Sequence, residues 1–308
     1  MSKTELLASV PLNERAIPFK EAKPWFKVSD QQMQLEGLCF DNQNHLFFVD
    51  VFGGGVYALE LTAMKLEKIA SFENENPATV KRNHDGRLFV CCLGDMRGTG
   101  SVVSMNPDGS DQQVVVDSSL GYVIDNLSFD QDGGFYFTDF KGYSCEPTGG
   151  VYYVSPDYKT ITKVLANMAV PNGVVLNTTG NGLWITEMSQ NRLHYLSMTE
   201  DPTIIANYGS SVPYHFTGLE GPDSICIDAD DNLYVAMYMQ GRAMVFDKYG
   251  LPIEQILLPE RKKHKMLRST SVAIHPNKKQ LVLCSNDGEG DGGAWLYTCK
   301  SLSKGILL

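Results

Sequence analysis

Four side chains with hard oxygen donors, Glu36, Asp125, Asn172 and Asp223, occupy equivalent places along the chain. Each lies four residues ahead of the last apolar residue before a polar turn: Phe40, Phe129, Leu176 and Ile227. A carboxylate entering a strand that heads into a core is costly unless its charge is compensated. Three carboxylates gathered at one point repel, and a divalent cation removes the conflict. The set contains no thiolate and no imidazole. Its oxygens favour Ca²⁺, with Mg²⁺ or Mn²⁺ less suited. An open position on such an ion is what metal-assisted hydrolysis requires. The competing reading is a water-filled polar channel with structural hydrogen bonds.

These residues would have to be brought together by a repeat. The apolar residue that follows each polar turn is Leu46, Leu88, Phe135, Leu183, Leu233 or Leu281, at intervals of roughly 40–50 residues. The runs that begin there, such as Leu46-Phe-Phe-Val-Asp and Leu183-Trp-Ile-Thr-Glu, read as strands. A strand precedes each turn, a third follows, and a fourth is visible in five of the repeats. Four strands per repeat predict a six-bladed, all-β propeller, with four antiparallel strands per blade, as one domain over residues 1–308. The sixth repeat lacks a fourth strand. Pro24–Ser29 is strand-like and would complete it, closing the ring and covering a sheet edge. In such a wheel the inner strands surround a central channel. The ring position reads Glu36, Ala78, Asp125, Asn172, Asp223, Thr270 around one mouth.

Composition narrows the partners. The formal net charge of −10 argues against nucleic acid, which rewards clustered Lys and Arg. No apolar run approaches the ~18 residues of a membrane span, and no signal peptide is read at the N-terminus. The seven cysteines show no paired spacing and lie mostly in strands, which predicts reduced thiols in a cytoplasmic protein. No Gly-x-Ser-x-Gly elbow is present, which argues against a serine hydrolase.

Leu35-Glu36-Gly37-Leu38, Val170-Pro171-Asn172-Gly173 and Glu220-Gly221-Pro222-Asp223-Ser224 resemble the gluconolactonase/senescence-marker-protein (regucalcin-like) family of calcium-dependent six-bladed propellers. Gly134-Phe-Tyr-Phe-Thr-Asp-Phe, Asp230-Asp-Asn-Leu-Tyr-Val-Ala-Met-Tyr and Cys284-Ser-Asn-Asp are most similar to its bacterial drug-responsive calcium lactonases. The resemblance runs from about residue 24 to residue 305. It implies a catalytic Ca²⁺ on Glu36, Asp125, Asn172 and Asp223, with Ser224 close by. It implies a second Ca²⁺ near Asp117, with carbonyls from Gly98, Gly100, Leu120 and Tyr122. Gly98 stands where a relative carries serine, so only a backbone ligand is available there. Asn126 replaces an acid.

The reading is a calcium-dependent lactonase acting on a small lactone, with Asp223 moving the proton. A phosphotriesterase on the same ion, or a non-catalytic calcium-binding propeller, are the alternatives. The loops 140–146 and 209–221 are expected to shape specificity, with Tyr143, Tyr214 and Phe216 as the candidate substrate contacts; His215 lies in the second loop, toward the channel mouth, and reads first as an ordinary loop residue.

Overall fold

Alternating polar turns and apolar runs are realised as six blades around a hub. The computed structural model describes residues 10–288 and 290–307. In blade one the order from the hub outward is Leu35–Phe40, His45–Asp50, Gly55–Glu60 and Lys65–Ser71, each antiparallel to the next. The inner strands of the other blades are Pro77–Arg82, Ile124–Phe129, Pro171–Leu176, Pro222–Ile227 and Val272–Ile274. Neighbouring inner strands touch all the way round, the sixth against the first. The helical segments among the described residues are three short 3₁₀ turns, and none is long and apolar enough to cross a membrane.

The second strands show why this sequence builds blades. Successive side chains on a strand point to opposite faces. Phe47 and Val49 pack toward blade two, against Val80 and Leu88. Leu46 and Phe48 pack toward blade six, against Val282 and Leu296. Both faces are covered, so the strand reads as an unbroken apolar run and not as an alternation. One such apolar layer lies between every neighbouring pair of blades.

The N-terminal segment serves two blades. Lys23–Ser29 pairs antiparallel with Ala294–Cys299 and is the outermost strand of blade six. Phe19–Glu21 pairs parallel with Pro252–Leu257, giving blade five a fifth strand. Three residues are too few to carry a readable period, so this strand leaves no sequence signal. Ahead of it, Glu14 is buried against Arg242, with the two charges 2.7 Å apart but off the hydrogen-bond direction. Tyr214 donates to the Glu14 carboxylate (2.8 Å), and Gln255 donates to its backbone carbonyl (2.9 Å).

Removing one partner of a buried ion pair leaves the other charge uncompensated. Glu14→Ala is therefore expected to lower unfolding stability by roughly 3 kcal/mol, and deletion of residues 1–30 to lower it further. Denaturant titration checks both. Wild-type stability in the truncated chain would show that these strands add nothing.

Candidate active site at the hub

The ring residues are placed by one local device. Glu36, Ala78, Asp125, Asn172 and Asp223 are each the second residue of an inner strand. Just beyond Glu36, Asp125, Asn172 and Asp223 the pairing register shifts. A bulge of this kind bends the strand and re-aims its side chains. All five residues line one cavity of about 160 Å³. The sixth position, Thr270, precedes its strand, and its hydroxyl is taken by the Leu35 carbonyl.

Electrostatics mark this cavity. Burial, then Asp223 and Asp125, hold the Glu36 carboxyl well above its ordinary range; a hydrogen bond with Gln34 offsets part of this. Burial pushes Asp125 up to about 7. Burial, then Asp125, raise Asp223 strongly, against the Ser224 N–H and the Asn172 side chain. Asn172 keeps a buried Oδ1 with no hydrogen-bond partner. Three desolvated carboxylates beside an orphaned amide oxygen fit a hard cation. Among the described residues, no three His, Cys, Asp or Glu side chains stand at metal-cluster spacing.

Several supporting residues escape sequence reasoning. Thr138 donates to the backbone carbonyl of Asn172 (2.7 Å), and Thr186 to that of Asp223 (2.7 Å). Cys284 reaches the Leu35 carbonyl at 3.4 Å. These three occupy one position of the repeat, four letters into the second strand, and each ties the next blade's ligand strand to its own. The acids that end three of the second strands, Asp50, Asp139 and Glu187, accept from the N–H groups of Gln34, Val123 and Ala169. They fix the segments leading into the inner strands of their blades. In five blades the residue after the second strand forms a largely apolar collar over the ring: Val51, Leu93, Phe140, Met188 and Tyr238. Their N–H groups donate to the carbonyls of Gln34, Asn76, Val123, Val170 and Gly221. The repeat alignment that finds the ring also finds this collar, one step past each second strand.

Matching this architecture against known proteins decides the family. The profile described as "SMP-30/Gluconolactonase/LRE-like region" matches residues 35–286. This protein belongs to that family. It is 52% identical to "Lactonase drp35" of Staphylococcus saprophyticus over 97% of this chain and 93% of the relative. The Staphylococcus haemolyticus protein of the same name is 48% identical with the same coverage. A solved calcium-binding regucalcin from Agrobacterium tumefaciens shares the fold at a TM-score of 0.74 and 15% identity, over 94% of this chain and 99% of that one.

Other expected residues fall elsewhere in this family member. Ser224 is buried beside Asp223, does not line the cavity, and its hydroxyl accepts from Asn126 Nδ2 (3.0 Å). Tyr214 and Phe216 do not meet the cavity. They pack with each other and with Phe246 between blades four and five, because 209–215 continues the outer strand Ile205–His215 and is not a loop. Tyr143 and His215 are exposed and outside the cavity lining, whereas Phe140 lines it. At the second expected site, the Gly100 N–H donates to the Tyr122 carbonyl (2.7 Å), and Gly98 lies against the Gly121 carbonyl. Asp117 accepts from the Ser119 N–H (2.9 Å), and its carboxyl is lowered by Ser119. Leu120 is exposed.

Carboxyls held above their unfolded range bind protons more readily in the folded state, so they add stability in acid and withdraw it as pH rises. For Asp125 the window runs from the unfolded value of 3.8 to about 7. In chelator, the melting temperature is expected to fall from pH 4 to pH 8, and Asp125→Asn to flatten that fall. Identical pH profiles for the two proteins would contradict this electrostatic picture.

Proposed function

We propose that this protein hydrolyses small lactones in the hub cavity, with calcium held by Glu36, Asp125, Asn172 and Asp223 and with Ser224 beside them. The observation that carries the reading is that four equivalent strand positions, three of them mutually repelling carboxylates, line one cavity with buried side chains. The relatives' names, lactonase in both, supply the substrate class. When bound, a divalent cation supplies Lewis acidity toward a lactone carbonyl.

The chain's own residues do the rest. Asp223, whose side chain lines the cavity, is the group we assign to take a proton from the attacking water. The ring C–O bond then breaks, and the same proton passes to the departing alkoxide. Thr186 fixes the Asp223 backbone while this happens. The collar of Val51, Leu93, Phe140, Met188 and Tyr238 offers an apolar wall to the lactone ring and limits water. A second calcium is proposed at Gly98, Gly100, Asp117, Leu120 and Tyr122, where the Gly100 N–H to Tyr122 carbonyl bond keeps the two segments side by side.

Turnover of γ- and δ-lactones, with Ca²⁺ and with chelator, tests the reading. Chelation is expected to stop turnover and Ca²⁺ to restore it. Asp223→Asn is expected to slow it roughly 100- to 10,000-fold without loss of fold by circular dichroism. Full activity in excess chelator would reject the cation. Near-normal activity of the variant with metal bound would reject the role of Asp223. Turnover of phosphotriesters alone would replace the substrate class.

A further inference from the structure

The collar over the ring is apolar in five blades and broken in the sixth. The residue that follows Ser285 at the collar position of blade six is Asn286, whose side chain donates to Gln34 Oε1 (3.1 Å). Arg268 stands two residues before Thr270, as Gln34 stands two before Glu36. Gln34 and Arg268 are therefore equivalent residues on adjacent blades, and they flank the break. Through it opens a second compartment of about 450 Å³, which shares Gln34 and Phe52 with the hub cavity. Its wall carries Arg268, the amides of Gln31, Gln32, Gln34 and Asn286, and one carboxylate, Asp50, which accepts from the Gln34 N–H; Gln32 Nε2 also donates to the Gly290 carbonyl.

The Arg268 guanidinium is built in but unspent. It lies flat over Gly288: a Cβ there would stand 3.1 Å from Nε and 3.2 Å from both Cζ and Nη2. Gly288 also holds a φ of 61°, which disfavours a side chain. The guanidinium makes no hydrogen bond or ion pair with any described residue. Its charge is felt by Tyr238, which lines the hub cavity and also feels Asp223 and Glu36. A fork of N–H donors with no partner, beside amide donors in a half-open compartment, matches a carboxylate. An anion approaching the hub is otherwise repelled by three acids.

We propose that Arg268 is a specificity-determining residue, and that the compartment beside the hub accepts a carboxylate borne on the lactone ring. The lactone ring itself sits under the apolar collar. The substrate class is thus a five- or six-membered lactone with an anionic substituent. This rests on the lactonase reading, but its own test does not require turnover.

3-Oxocyclopentanecarboxylate keeps the ring, the carbonyl and the anion and has no ester bond to cleave. Calorimetric titration compares it with its carboxamide on the calcium-loaded protein. The acid is expected to bind about 10- to 100-fold more tightly than the amide. Arg268→Met should bring that ratio close to one, and Arg268→Lys should recover part of it. Gly288→Ala, which crowds the guanidinium, should reduce it too. Equal binding of acid and amide by the wild type, or an undiminished ratio in Arg268→Met, would overturn the proposal. With 5-oxotetrahydrofuran-2-carboxylate as substrate, the preference over its amide should appear chiefly in KM. A wild type that prefers the acid analogue yet hydrolyses no lactone would overturn the lactonase reading and support the anion subsite.

Discussion

Like charges brought together on one cavity at the hub are the constraint around which this molecule is arranged. Glu36, Asp125 and Asp223 start from separate blades, and each is buried where its charged form is disfavoured. Left free, their strands would relax apart. The inner strands that carry Glu36, Asn172 and Asp223 are held both within their own blades and from the blade before. Thr186 on blade four grips the Asp223 carbonyl on blade five, and Thr138 on blade three grips Asn172 on blade four. Cys284 on blade six reaches the residue before Glu36 on blade one. Three contacts between neighbouring blades thus hold these strands against the unfavourable electrostatics.

That closed wheel draws its rigidity from elsewhere. Each blade is apolar on both faces, and the apolar layers between blades form one continuous annulus of packing. The second and third strands carry most of it, and the inner strands add residues such as Leu38, Leu127 and Ile225. The second residue of each inner strand contributes little to these layers, so its identity is released from packing. This explains how Ala78 can occupy the same ring as Asp125 and Asp223 without disturbing the fold. The blades fix the positions, and the chemistry is written separately on them.

The same separation governs what the sequence discloses. The doubly buried second strands, such as Leu46-Phe47-Phe48-Val49, give an unmistakable apolar signal with a long period. Aligning on them places Glu36, Asp125, Asn172 and Asp223 at one depth. Features with no repeat to average over stay hidden. Phe19–Glu21 is three residues long and pairs with a strand more than two hundred residues away. The segment 209–215 is polar and exposed, so it reads as loop, yet it extends an outer strand that pairs on one edge only. Thr138 and Thr186 were visible as letters but not as devices, since a threonine in a strand is ordinary until its acceptor across the blade boundary is known.

Departures from the repeat then become the informative places. A six-fold wheel with six identical collar residues would present the hub with one uniform apolar mouth and no means of orienting a substrate. Five blades supply Val51, Leu93, Phe140, Met188 and Tyr238, and the sixth supplies Asn286 with Arg268 beside it. A ring compound entering such a mouth has one polar direction in which to place a substituent. Because Gln34 touches both Glu36 and Asn286, the polar gap is joined to the ring of hub side chains and not merely near it. Asymmetry in one blade is therefore enough to give a pseudo-symmetric hub a single binding orientation, which is what a site needs before any proton transfer can be directed at one particular bond.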